Sequence, residues 1–200
     1  MRKSQLIQHS ICLSVALVAG GALTAAEVPV PAAGIPNFHQ VNERLYRGAQ
    51  PADSGWDSLA KLGVKVVVDL RRDGEEGHSI AAEAKAVQAA GMRYVNVPMQ
   101  GIVAPSDASI AKVLGIFNGT DPVFVHCKKG MDRTGTVVAC YRMTHDQWKN
   151  NKAMSEARSI GLHWEEFGMK RYISNFRGMP LDSAPATTVA SASTAAGTAN

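Results

Sequence analysis

His126-Cys127-Lys128-Lys129-Gly130-Met131-Asp132-Arg133-Thr134-Gly135 is the stretch of this chain whose residue types and spacing can do chemistry. The apolar run Val123-Phe124-Val125 leads into it, and Thr136-Val137-Val138-Ala139-Cys140-Tyr141 leads away in an apolar helical pattern. The order is a buried strand, a tight glycine-bearing loop and a helix N-terminus. Such a loop turns backbone N–H groups inward, and the helix dipole adds partial positive charge, so it is built to hold an anion. Cys127 stands at the entrance. A thiol beside a helix N-terminus and a guanidinium is favoured as thiolate, the nucleophilic form. Arg133, at the exit, can grip two oxygens of one anion in a bidentate fork. The loop therefore combines an anion site with a nucleophile aimed at the anion. The plainer alternative is a buried core thiol followed by a helix-capping arginine.

Cys127 to Arg133 resembles the CX5R signature of the cysteine-dependent protein tyrosine and dual-specificity phosphatases, extended here to H-C-x-x-G-x-x-R-T-G. Upstream, Asn37 to Pro51 reads N-F-x-x-V-x-x-x-L-Y-R-x-x-Q-P and resembles the entry segment of bacterial and fungal-type dual-specificity phosphatases, so the likeness covers about 37–176. The resemblance implies in-line attack of the Cys127 thiolate on a phosphate ester, giving a cysteinyl-phosphate that water then hydrolyses. Arg133 and the amides of Lys128 to Arg133 would neutralise the equatorial oxygens, because charge positioning is most of what phosphoryl transfer asks of a protein. Thr134 resembles the family hydroxyl that bonds the sulfur and helps it leave. His126 would orient the loop, Gly130 shape it, and Met131 face its rim. Lys128 and Lys129 put positive charge at the mouth, as similar loops do in inositide phosphatases. Expected partners are thus a phosphorylated protein, with phosphotyrosine first, or a phosphorylated small molecule such as an inositol phosphate. Competing readings are a pseudophosphatase that only binds phosphate, and a sulfur-transfer or arsenate-reducing cysteine enzyme; the Arg-Thr-Gly ending favours phosphate over the latter.

The proton donor has two candidates. The superfamily usually takes it from an Asp on a loop well before the Cys, but Val97-Pro98-Met99-Gln100-Gly101-Ile102-Val103-Ala104-Pro105 holds no acid. Asp107 is the nearest upstream carboxylate, and it also suits the first turn of a helix capped by Ser106. Asp132 resembles the acid of C-x-x-G-x-D-R-T loops in myotubularin-like lipid phosphatases, and it also suits a structural pairing.

The elements that must position the loop can be read around it. Leu45-Tyr46-Arg47 suits a short strand closed by Gly48 and Pro51. Asp53 or Ser54 can cap a helix to Leu62, ended by Gly63. Val64 to Leu70 is the β-branched run of a strand covered on both faces. Arg71 to Gly77 is a charged loop in which Arg71 can steady the site, while Arg72, Asp73, Glu75 and Glu76 suit local, solvated ion pairs. Helices follow at Ser79 to Ala90 and Ser106 to Asn118, with a strand at Tyr94 to Pro98 between them. Beyond the signature helix, Trp148 to Gly161 and Trp164 to Phe176 read as two more. This alternation predicts an α/β fold, a mostly parallel sheet of four to five strands with helices on both faces, and ligand binding at the carboxyl ends of the strands.

Met1-Arg2-Lys3, the apolar Ile11 to Leu23 and the small residues Thr24 and Ala26 read as a secretory signal peptide, 1–26. Its apolar core is shorter than the ~20 residues of a membrane span. Export to a periplasm-like compartment or beyond is expected, with no stable span after removal. A linker over 27–36, a catalytic domain over 37–180 and an Ala/Ser/Thr tail over 181–200, expected to be disordered, complete the organisation. Formal charge is +4 for the whole chain. It falls further once Arg2 and Lys3 are removed, so there is no basic footprint for nucleic acid or a membrane surface. No metal or cofactor is called for: the chain has no His–acid pair at ligand spacing and no dinucleotide glycine motif. Cys127 and Cys140 sit too far apart along a helix to bridge. The nucleophile would then be an unpaired thiol in an oxidising compartment, which requires a reducing system to protect it.

Overall fold

The computed structural model describes residues 32–179; the expected signal peptide, residues 27–31 of the linker and the tail lie outside the described residues. Strand positions follow the β-branched and aromatic runs. They are β1 (His39–Gln40), β2 (Leu45–Gly48), β3 (Val66–Asp69), β4 (Arg93–Asn96) and β5 (Val123–His126). The sheet order is β1-β2-β5-β3-β4, with β1 antiparallel to β2 and every other pairing parallel. β5 is therefore central. Gly48 and Asp69 both lie in register with His126, so the carboxyl ends of β2 and β3 flank the start of the signature loop.

Alternate side chains of the strands face opposite layers. Tyr46, Val67 and Phe124 pack with Trp56, Leu59 and Val87 of α1 (Asp53–Lys61) and α2 (Ile80–Ala89). Val66, Val68, Val123 and Val125 pack with α3 (Asp107–Phe117), α4 (Asp132–Thr144), α5 (Asn150–Ser159) and α6 (Phe167–Asn175) through residues such as Ile110, Val138, Ala153 and Ile173. The expected α/β sandwich of a mostly parallel sheet is what forms. α4, the signature helix, is buried from Arg133 through Tyr141. Helices α3, α5 and α6 all contact it, which fixes its N-terminus against the sheet.

The boundaries differ in instructive ways. α1 begins after Ala52, which cannot cap, while Asp53 takes the first turn. Ser79 and Ser106 do cap, accepting from Ala82 N and Ser109 N. The last helix starts at Phe167 because His163 to Glu166 form a turn, with Glu166 N donating to His163 O at 3.2 Å. β1 has too few residues for any periodicity to be read. Among the described residues no helix is long and apolar enough to cross a membrane.

Candidate active site

The signature loop is held by its carbonyls. Lys128 O accepts from Gln50 N at 3.2 Å, Lys129 O from Asn37 Nδ2 at 3.2 Å and Gly130 O from Arg47 Nη2 at 2.7 Å. The N–H groups of Lys128 to Met131 have no protein acceptor among the described residues. With the carbonyls tied outward, the amides are left for an anion, and α4 adds its dipole from below. Gly130 makes this possible: its φ is +69°, and a Cβ there would lie 2.3 Å from Gly48 C. The loop can thus press onto the end of β2 only with glycine at this place. Cys127 is 2% exposed and sits at the bottom of the cleft so formed.

Two arginines flank the thiol. Arg47, reaching up from β2, is 1% exposed, and its Nε and Nη1 have no partner. Burial pulls its pKa down to about 10, against the charges of Glu156 and Cys127, so it remains a cation at neutral pH beneath the loop. Arg133 is held end-on by Glu75, with Nη1 donating to Oε2 and Nη2 to Oε1, each at 2.7 Å. Nη1 also lies 3.4 Å from the carbonyls of Leu70 and Met99. A guanidinium has five N–H groups in a fixed fork. Nε–H and the second Nη2–H therefore remain as one open edge, the geometry that takes two oxygens of a phosphate. The expectation that Glu75 belongs to a solvated, locally paired loop is corrected here: its partner lies 58 residues away and is the signature arginine. Arg71 steadies the same segment, donating to Gln50 Oε1 at 2.9 Å and to Glu75 O at 2.7 Å.

The Arg133 hydrogen bond holds the Glu75 carboxyl down to about 2, against burial, from an ordinary 4.5. A depressed acid contributes stability above its unfolded pKa and loses it as pH falls through its folded one. Glu75→Gln is accordingly expected to melt below the wild type at neutral pH, with the gap in Tm closing between about pH 4.5 and about pH 2. A gap that stays constant across that window in thermal melts would count against the assignment.

Below the loop a second polar cluster surrounds His126. Its Nε2 lies 2.8 Å from Glu83 Oε1 and 3.9 Å from Asp69 Oδ1. Asp69 Oδ2 accepts from Tyr94 OH at 2.6 Å and pairs with His78 Nε2 at 2.9 Å, while Glu83 Oε2 accepts from Gln50 Nε2 at 2.6 Å. Burial and the bond to Asp69 push the Tyr94 phenol up, which keeps it a donor. Asp69, Glu83 and His126 offer atoms within 4.8 Å of one another, the kind of cluster that can hold a cation. Three of the four carboxylate oxygens already accept from protein donors, and Glu83 Oε1 faces His126 Nε2 outside hydrogen-bond geometry, so the cluster reads better as a buried polar packing layer beside His126. None of it was visible as a spacing, because the residues come from β3, α2 and β5.

The remaining expected residues are placed as follows. Lys128 pairs with Glu76, and both it and Lys129 line the cleft. Thr134 Oγ1 is buried without a partner. Met131 packs on Gly161 and does not line the cleft. Asp132 does line it, but its carboxylate is taken by His163: the backbone N–H donates to Oδ1 at 2.9 Å, and Nδ1 lies 2.9 and 3.0 Å from the two oxygens. Asp107 is not brought there. It accepts from Tyr172 OH at 2.6 Å and lines a separate groove with Arg171 and Phe176, so its helix-start role is the one the fold uses. Three groups that sequence reading did not single out complete the cleft: His163, Glu165 and Glu166, from the turn before α6. Cys140 is free and fully buried, and burial pushes its thiol up, so it stays an inert core residue.

A protein-family model described as "DSP-PTPase phosphatase fused to NAD+ Kinase" matches residues 30–170. The chain is 29% identical over 196 residues to the dual specificity protein phosphatase TpbA of Pseudomonas aeruginosa, covering 91% of this chain and 85% of that one. It is 25% identical over 145 residues to the inositol diphosphatase DSP5 of Arabidopsis thaliana, 70% of each. Among solved structures, a cysteine-to-serine variant of P. aeruginosa TpbA in complex with phosphotyrosine superposes with a TM-score of 0.59 at 26% identity, over 73% of this chain and 86% of that one. The catalytic core of the PP-IP phosphatase SIW14 from S. cerevisiae gives 0.62 at 22% identity, over 71% and 86%, a likeness of fold.

Proposed function

Since the chain belongs to the DSP-PTPase phosphatase family, whose model spans residues 30–170, we propose that it hydrolyses phosphotyrosine in proteins, with phosphoserine and phosphothreonine as further substrates, through a phosphate covalently held on Cys127. The observation that carries the reading is the loop itself: unpartnered amides above a buried thiol, with the open edge of Arg133 facing the same anion. In the first step the Cys127 sulfur attacks phosphorus while the ester oxygen leaves. In the second, water attacks the cysteinyl-phosphate and the thiolate departs, helped by the otherwise unpartnered Thr134 hydroxyl. Arg133 and the loop amides hold the equatorial oxygens throughout.

The cleft mouth favours a protein substrate. Arg72, Lys128 and Lys129 are opposed there by Glu75, Glu76, Glu165 and Glu166, and Lys128 is already paired, which disfavours a multiply phosphorylated ring. Exposed Ile102, Trp164 and Phe167 stand beside those acids and offer apolar contact to a polypeptide. The same three cations support an inositol phosphate as the second reading, in line with what DSP5 is named for. Export is part of the proposal, supported by the basic start and apolar run of the first 26 residues.

The test is a single-turnover reaction with a phosphotyrosine peptide labelled on phosphorus, quenched in acid under reducing conditions. Label is expected on the protein within the burst, followed by steady phosphate release. Bound peptide with neither label nor release would make the loop a phosphate reader. A higher kcat/KM for an inositol polyphosphate assayed alongside would move the substrate assignment to the second reading.

A further inference from the structure

The loop over 97–105 carries no acid, yet an ester oxygen with the basicity of a tyrosine phenolate, pKa about 10, leaves poorly without a proton. That loop nevertheless packs where a donor would be wanted. Gly101 and Ile102 line the cleft, and the following residues press onto the first turn of α6: a Cβ on Gly168 would lie 2.7 Å from Ala104 N and 3.2 Å from Val103 C. Two residues before that contact stands Glu166, which faces the same cleft as Cys127 and Arg133. We propose that Glu166, from the turn before α6, is the general acid of this enzyme, supplying the carboxyl that the loop lacks.

Three of the other four carboxyls of the cleft are committed. Glu75 is forked onto Arg133, Glu76 is paired with Lys128, and both oxygens of Asp132 are held by His163. Glu165 is exposed. Among the described residues Glu166 has no ion-pair partner, and its Oε2 is buried with no hydrogen-bond donor. Burial first, and then the charge of Asp132, raise its pKa above the ordinary carboxyl value, with Glu165 adding to the rise and His163 and Arg133 opposing it. An acid held up in this way near a nucleophile is the pattern that divides two carboxyls between different tasks.

This assignment rests on the phosphatase reading above. As the sulfur–phosphorus bond forms and the phosphorus–oxygen bond breaks, Glu166 Oε2–H gives its proton to the leaving oxygen and becomes a carboxylate. In the second step that carboxylate takes a proton from the attacking water, inorganic phosphate forms, and the sulfur–phosphorus bond breaks to restore the thiolate. No oxidant or co-reactant is required.

The experiment compares wild type, Glu166→Gln and Asp132→Asn on a phosphotyrosine peptide and on dinitrophenyl phosphate, whose leaving group needs no proton. Glu166→Gln is expected to lower kcat/KM on the peptide by about 10²–10³-fold, to leave kcat/KM for dinitrophenyl phosphate, which reports only cysteinyl-phosphate formation, nearly unchanged, and to remove the basic limb of the pH–rate profile on the peptide. Retained turnover of the activated ester also reports that the variant is folded. Equal losses of kcat/KM on both esters, an unchanged kcat/KM on the peptide, or a leaving-group-selective loss in Asp132→Asn instead would each overturn the assignment. Wild-type protein that turns over neither ester would fail at the earlier step, the phosphatase reading itself.

Discussion

Cys127→Ser abolishes turnover of a phosphotyrosine peptide, by about 10⁴–10⁶-fold, the scale of loss when a covalent nucleophile is removed, and leaves the peptide's affinity intact. The reason is a separation of tasks within one loop. Binding is carried by the amides freed when Gln50, Asn37 and Arg47 take the carbonyls of residues 128–130, and by the open edge of Arg133. None of these involves the sulfur. A serine hydroxyl fits the same space but is intrinsically a far weaker acid than a thiol, and a neutral alcohol is a poor nucleophile at phosphorus. Peptide titration by calorimetry, beside turnover, tests both halves. A serine variant still turning over within about tenfold of wild type would mean that another group attacks phosphorus. One that neither turns over nor binds would mean that the thiolate, rather than the loop, holds the substrate.

What the chain declared in advance is what lies close together in sequence. Cys127, Gly130 and Arg133 share one loop, and a strand before and a helix after them are enough to fix its chemistry. The α/β alternation was legible for the same reason, since β-branched runs and capped helices are local signals, as Ser79 and Ser106 bear out. The supports of the loop were not legible. Arg47 reaches Gly130 across 83 residues, Glu75 reaches Arg133 across 58, and Asp132 meets His163 across 31. Before the sheet order is known, Arg47 is one residue of a short strand and Glu75 one charge of an acidic loop. Asp107 illustrates the opposite error. Its position suited both a helix start and a proton donor, and the fold turns it to Tyr172 in another groove. Sequence proximity to the signature loop is therefore a weaker guide to what lines the cleft than the fold is, since His163, Glu165 and Glu166 enter it from the turn before α6.

Arg133→Lys lowers kcat/KM by about 10³-fold while the protein stays folded, a loss of the size found when a cation that stabilises the phosphoryl transition state is removed. Charge is conserved in this change, so the effect isolates geometry. Arginine serves two anions at once here, Glu75 on its end and the phosphate on the Nε–Nη2 edge, because the fork offers separate pairs of N–H groups. A lysine ammonium is a single point of charge on a flexible stem. Glu75, in direct contact with residue 133 and already ionised, is the partner present before substrate arrives, so the ammonium is drawn to it and phosphate meets a neutralised pair. The double variant Arg133→Lys with Glu75→Gln frees that ammonium and is expected to recover part of the loss, a non-additivity that separate sites would not produce. Thermal melts of all three variants separate this from unfolding, since Arg133 is buried and its removal from the Glu75 pair also costs stability. Should Arg133→Lys keep nearly full kcat/KM, or should the double variant fall by the simple product of the two single effects, the division of the guanidinium between Glu75 and phosphate would be wrong.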